Sequence, residues 1–283
     1  MNYYLIDNNQ KLINYLGELW ERNVRILALD LEAEYNLHAY GEKLGLVQVY
    51  DQQKRIIIDP LSISRGNLKS FFENERILKI MYDASSDLSL LVNSYDIVMK
   101  SIFDLRPAAD LLNYEKKDLH SIINSELNES LEKKSKYQKY NWLRRPLDED
   151  AIVYALNDVV HLFELKDRII EKLYRQDLIE DFVHRNLIIQ AREYRKKKED
   201  RYRNVKGYQR LREKEARLFQ KIFDMRDKYA ERWNMPPNNL INKENLFRLA
   251  RGTLSTERLP FPKRVKIEDM KRVKDEIQRI CNG

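Results

Sequence analysis

Ile26-Leu27-Ala28-Leu29-Asp30-Leu31-Glu32 is the stretch on which the reading of this chain turns. An apolar run closing on two acids reads as a strand, in which side chains i and i+2 point the same way. Asp30 and Glu32 therefore stand together on one face. Two such anions repel by about 4 kcal/mol at 4 Å in an effective dielectric of about 20. A divalent cation turns that repulsion into coordination, because hard cations such as Mg²⁺ take carboxylate oxygen. Solvation at a strand end would also satisfy the pair, so the choice rests on other acids.

Two further carboxylates fall where apolar residues belong. After a short buried strand at 78–82, Ser85 or Ser86 suits a helix start. Ala84, Asp87, Leu88 and Leu91 then share one helix face, which Asp87 interrupts. A buried acid there needs a cation, donors or water, or else it caps the first turn and complements the helix dipole. Further on, Pro146 and the acids Asp148, Glu149 and Asp150 read as a helix start. The helix that follows is apolar nearly all round, and Tyr154 and Asp158 stack on one face four residues apart. A tyrosine hydroxyl beside a carboxylate can orient a metal-bound water, or the two can simply satisfy each other.

Taken together, Asp-x-Glu on a strand, Asp87 after a later strand and Tyr-x-x-x-Asp on a helix resemble the three motifs of the DEDD exonucleases, tyrosine subgroup. The flanking residues resemble ribonuclease D more closely: LALDLEAEYNLHAYGEKLGLVQVYD (27–51), MYDASSDLSLLVNSYDI (81–97), FDLRPAADLLNY (103–114) and NWLRRPLDEDAIVYALNDVVHLFEL (141–165) match in order and spacing. The match covers roughly residues 20–175. Two departures stand out. Asp83 lies where family members often carry a histidine, and Val153 occupies the position of the histidine subgroup's base, which excludes that subgroup.

The resemblance implies an α/β ribonuclease H-like mixed sheet flanked by helices. It also implies hydrolysis of RNA from its 3′ end by a two-metal-ion mechanism, with two divalent ions, Mg²⁺ or Mn²⁺. By that analogy Asp30 bridges both ions, Glu32 and Asp158 complete the site that activates water, Asp87 serves the second ion, and Tyr154 positions the nucleophile. Single-stranded 3′ ends of RNA, tRNA precursors among them, are the implied substrate. A 3′→5′ DNA exonuclease shares such a site, and a non-catalytic nucleic-acid-binding protein is a third reading. That third reading leaves four acids and a tyrosine without a physical purpose.

Other chemistries lack their residues. The seven glycines form neither a dinucleotide-binding fingerprint nor a P-loop. His38, His120, His161 and His184 are at least 23 residues apart and Cys281 is the only cysteine, so zinc sites of the usual spacing are excluded. His161 follows Asp158 by nearly one turn and could reach the same cleft. One cysteine suits a reducing cytoplasm, and no apolar run of about 18 residues suggests a membrane span.

Charge divides the chain. Residues 191–283 carry 27 Lys and Arg against 14 Asp and Glu, whereas residues 1–190 carry 25 against 31. An acidic body that cuts and a basic tail that holds polyanion is the expected division. The expected domains are an exonuclease domain at 1–200 and an all-α helical bundle at 207–283. RLFQKIFDMRDKYAERWNMPPNNLINKENLFRLARGTLS (217–255) resembles the HRDC module that follows the catalytic domain in ribonuclease D, and that module implies nucleic-acid binding. The basic run with tyrosines at 192–206 reads either as a base-stacking, phosphate-neutralising linker or as a solvated extension of a helix from about Leu178. Strands are expected at 25–31, 44–50, 55–59, 78–82 and 102–103, the first three as an antiparallel meander and the later ones through parallel crossovers. A basic and aromatic loop at 133–142 could line a substrate channel, which makes Lys134, Trp142 and Arg145 candidate nucleic-acid contacts.

Overall fold

In a computed structural model the described residues are 2–131, 136–195, 201–263 and 265–282. They group into two compact units, one of residues 1–34 and 43–196, the other of 35–42 and 197–283. The first unit holds β1 (Tyr4–Ile6), α1 (Asn9–Glu21), β2 (Ile26–Tyr35), β3 (Glu42–Tyr50), β4 (Arg55–Ile58), α2 (Arg65–Phe72) and β5 (Leu78–Met81). It continues with α3 (Ser85–Leu90), β6 (Ile102–Asp104), α4 (Arg106–Leu111), α5 (Leu119–Leu127), α6 (Glu149–Val160), α7 (Leu162–Arg175) and α8 (Ile179–Ala191). The outermost residues of β2 and β3, Tyr35 and Glu42, count with the second unit.

The six strands lie in the order β1-β4-β3-β2-β5-β6. β3 and β4 run antiparallel, while β1 with β4, β2 with β5 and β5 with β6 are parallel, so the sheet is mixed. All five expected strands are present. β1 is the addition: three residues are too few to display an alternation, and its pairing with Ile56–Ile58 depends on a partner about fifty residues away.

Alternation along β2 settles where its acids look. Leu27, Leu29 and Leu31 enter a core shared with Leu12 and Leu19 of α1 and Leu68 and Phe71 of α2. Ala28 faces the opposite core, with Leu46, Ile57 and Ile80 from the sheet and Ala151, Ala155 and Leu156 from α6. By the strand's period of two, Asp30 and Glu32 follow Ala28 toward α6. The same apolar face of α6 that seals this core carries Asp158 inward, where it is 7 % exposed.

The second unit, apart from Tyr35 and Glu42, is helical among the described residues. It contains α9 (Glu213–Arg232), α10 (Pro237–Leu240), α11 (Lys243–Ala250) and α12 (Ile267–Asn282). Phe219, Ile222 and Phe223 of α9 pack with Leu246 and Leu249 of α11 and Val273 and Ile277 of α12. Pro236 and Pro237 separate α9 from α11 as their fixed φ and missing N–H require. α8 ends at Ala191, and Arg192 is already extended with ψ 136°. The basic run therefore begins outside the helix, which decides against reading it as a solvated extension of α8; residues 196–200 lie outside the described residues. Among the described residues no helix is long and apolar enough to cross a membrane.

Candidate active site

Carboxylate oxygens of Asp30, Glu32 and Asp158 lie within 4.8 Å of one another. β2 and α6 thus bring together acids that are 128 positions apart in the chain. Asp87 joins them electrostatically, since its charge bears on both Asp30 and Glu32. It sits in the first turn of α3, on the buried face with Ala84, Leu88 and Leu91, and is 9 % exposed.

A fifth acid, Asp104, places Asp87. The turn between β5 and α3 passes through Asp83 in the left-handed region, at φ 61°. The carboxylate of Asp104, at the end of β6, accepts the N–H groups of Asp83 at 2.8 Å, Ala84 at 3.0 Å and Arg106 at 2.9 Å. Asn186 of α8 fixes Asp104 in turn, accepting its N–H at 2.8 Å and donating to its carbonyl at 3.2 Å. Side-chain capping from Ser85 or Ser86 is not used at α3; Asp104 supplies the acceptor from another strand. Asp104 was not among the expected site residues, although the motif at 103–114 contains it.

All four expected acids are held above the ordinary carboxylate range. Burial is the largest cause for Asp30, followed by the charges of Asp87, Asp158 and Glu32. Burial and then Asp158 and Asp87 raise Glu32. Burial raises Asp87, with Asp83 and Asp104 adding to it. Burial also raises Asp158, but a hydrogen bond and opposing charge from His120, and the charge of His161, pull it back. Acids crowded into one low-dielectric space in this way favour either protons or a cation. The donor set is all oxygen and hard, which fits Mg²⁺ or Mn²⁺ better than softer metals.

Tyr154 looks into the same space. Burial raises its hydroxyl pKa, and the charges of Asp158, Glu32 and Asp30 raise it further. Its hydroxyl has no hydrogen-bond partner among the described residues, so the simple Tyr–Asp pair is not what forms. Asp158 instead meets His120, whose Nε2 lies 2.7 Å from Oδ1. His120 also packs edge-on against the Tyr154 ring, with centroids 5.8 Å apart. Tyr137 covers the tyrosine at 4.6 Å. His120 fits no zinc-ligand spacing and stands thirty-eight residues before Asp158, so the sequence reading misses it. Its place at the start of α5, beside the buried Ile122 and Ile123, was the available signal.

The expected nucleic-acid contacts fare differently. Lys134 lies outside the described residues. Trp142 is 2 % exposed, and its Cβ would be 2.6 Å from any Cβ at position 45, which is why β3 carries Gly45 there. A base has no indole face to stack on. Arg145 spends its whole fork inside the protein: Nε and Nη2 each donate to Asp59 at 2.7 Å, Nη2 also to the Gly45 carbonyl at 2.7 Å, and Nη1 to the carbonyls of Trp142 and Arg144 at 2.8 Å. With five N–H groups occupied, none remains for phosphate. Both side chains build the fold, and that corrects their expected role.

Residues 3–174 match the family of 3′-5′ exonuclease domains. Ribonuclease D of Desulfotalea psychrophila is 29% identical over 83% of this chain and 64% of its own length. Ribonuclease D of Serratia proteamaculans is 26% identical over 89% of this chain and 67% of its own. The chain thus spans about two thirds of the length of these curated relatives. Escherichia coli RNase D, described as an exoribonuclease involved in structured RNA processing, superposes with a TM-score of 0.76 at 21% identity, covering 99% of this chain and 75% of that one. At that identity the likeness speaks to the fold.

Proposed function

The chain belongs to the 3′-5′ exonuclease family, in its ribonuclease D group, and from that premise we propose that it is a metal-dependent exoribonuclease acting on RNA 3′ ends. The convergence of Asp30, Glu32 and Asp158 within 4.8 Å carries this reading. Asp30, Glu32, Asp87 and Asp158 would hold two divalent cations, Mg²⁺ or Mn²⁺. When bound, such a pair supplies charge that stabilises the attacking and leaving oxygens of an in-line phosphoryl displacement.

The chain's own residues do the orienting. His120 fixes the rotamer of Asp158 through its hydrogen bond. Tyr154, supported by Tyr137 and His120, directs a hydroxyl toward the acids and would position the attacking water. Asp104 holds the turn that presents Asp87. The substrate class we infer is single-stranded 3′ ends, tRNA precursors among them, in the cytoplasm. Residues 1–200 would be the catalytic domain. Residues 207–283 would be an HRDC-like module that holds RNA, since residues 191–283 carry 27 basic against 14 acidic side chains.

Two experiments test this. Turnover on matched RNA and DNA oligonucleotides, with Mg²⁺ and with EDTA, should show loss of nucleotides from the 3′ end of RNA only when metal is present. Preference for DNA would replace the reading with a DNA exonuclease, and no turnover on either would remove it. Tyr154→Phe keeps the ring and deletes the hydroxyl. Its rate should fall by about 10²-fold, as for loss of a positioned catalytic group, with RNA affinity in EDTA unchanged. An unchanged rate would reduce Tyr154 to a packing residue.

A further inference from the structure

Trp20, in the last turn of α1, is 56 % exposed. Two guanidinium groups lie against its indole: that of Arg25 at 4.8 Å from the ring centroid and that of Arg76 at 5.0 Å. The sheet brings them together. Arg25 immediately precedes β2, and its carbonyl accepts the N–H of Leu78 at the start of β5, two residues past Arg76. Glu21 and Glu75 are nearby in sequence and exposed, yet neither arginine pairs with a carboxylate among the described residues. An arginine laid on an aromatic ring keeps its donors at the edge, preorganised for bidentate contact with phosphate. Arg22, Arg106 and Arg175 each answer an acid one helical turn away; among the described residues these two answer only the indole.

We propose that Arg25 and Arg76, held in place by Trp20, form a second contact for the RNA strand, engaging backbone phosphates remote from the cleavage site. The proposal rests on the reading of the protein as an exoribonuclease. Arg25 stands just before β2 and five residues before Asp30, about 17 Å away at about 3.3 Å per residue, and by the strand's period of two it faces the opposite side of the sheet. It stands at the entry ends of β2 and β5, whereas Asp87 follows the exit end of β5. A short substrate seated at the acids cannot reach so far; a long one can.

The test compares the full chain with the Arg25→Gln/Arg76→Gln variant, in EDTA to prevent cleavage, on a trinucleotide and on a single strand of about 20 nucleotides, longer than a typical single-strand site. Affinity for the long strand should fall about 10-fold. The slope of log K against log salt should lose about 1.4, two single-strand phosphate contacts at about 0.7 each. Trinucleotide binding, trinucleotide cleavage in Mg²⁺ and the thermal midpoint should stay as they were. An Arg25→Lys/Arg76→Lys variant should recover the slope and only part of the affinity, because charge returns without the fork. Unchanged long-strand affinity and slope in the glutamine variant, with wild-type cleavage intact, overturns the proposal. If the wild type cuts neither RNA but the glutamine variant still loses long-strand binding, the exoribonuclease reading falls and the contact stands.

Discussion

Asp30→Asn is expected to lower RNA turnover by about 10³-fold or more, the scale of removing a group that stabilises transition-state charge, while the protein folds at least as well as before. Asp30 is the acid on which most of the site's charge converges: Asp87, Asp158 and Glu32 all press on it. An amide there is nearly isosteric and cannot neutralise a cation. Without metal, however, it relieves a like-charge repulsion that burial strengthens. The two readouts should therefore move apart. Initial rates in Mg²⁺ should collapse, and the melting midpoint in EDTA should hold or rise. Asp158→Asn should follow the same pattern with a smaller gain in midpoint, because His120 already compensates that carboxylate. Turnover near the wild-type level in either variant would remove these residues from the catalytic set.

Arg145→Ala should instead destabilise the fold by about 3 kcal/mol, at the lower end for breaking a buried ion pair because the side chain keeps 28 % exposure. The loss leaves Asp59 without its fork and the carbonyls of Gly45, Trp142 and Arg144 without donors. Urea unfolding followed by circular dichroism reads this directly as a lower midpoint at unchanged slope. Arg145→Lys should recover part of the loss, since an ammonium meets Asp59 but cannot span the three carbonyls. A midpoint shift corresponding to less than about 1 kcal/mol would place this pair among ordinary surface salt bridges.

What the sequence made legible was periodic. The alternation of β2 put Asp30 and Glu32 on one face, and the spacing of four put Tyr154 and Asp158 together on one face of a helix apolar nearly all round; both patterns are local and regular. Ala84, Asp87, Leu88 and Leu91 shared a face for the same reason. What stayed hidden was relational. Asp104 works through N–H groups twenty residues earlier, and His120 through a carboxylate thirty-eight residues later. Arg145 and Trp142 looked like nucleic-acid contacts because a basic, aromatic stretch looks alike whether it faces water or core. The partner that decided Arg145 is Asp59, eighty-six residues away, and no local pattern points to it. β1 was missed for the opposite reason, being too short to carry a pattern.

The separation of Asp30 from Asp158 also bears on biosynthesis. At about 5–20 residues per second, a ribosome needs roughly 6–25 s to travel from one codon to the other. Through that interval the emerging polypeptide carries the β2 acids, and later Asp87, with no α6 to complete them. A nascent chain is surrounded by the messenger and ribosomal RNA that produced it. Because the last acid arrives on a helix that must first seal the core against the sheet, the four acids converge only after the first unit has left the exit tunnel.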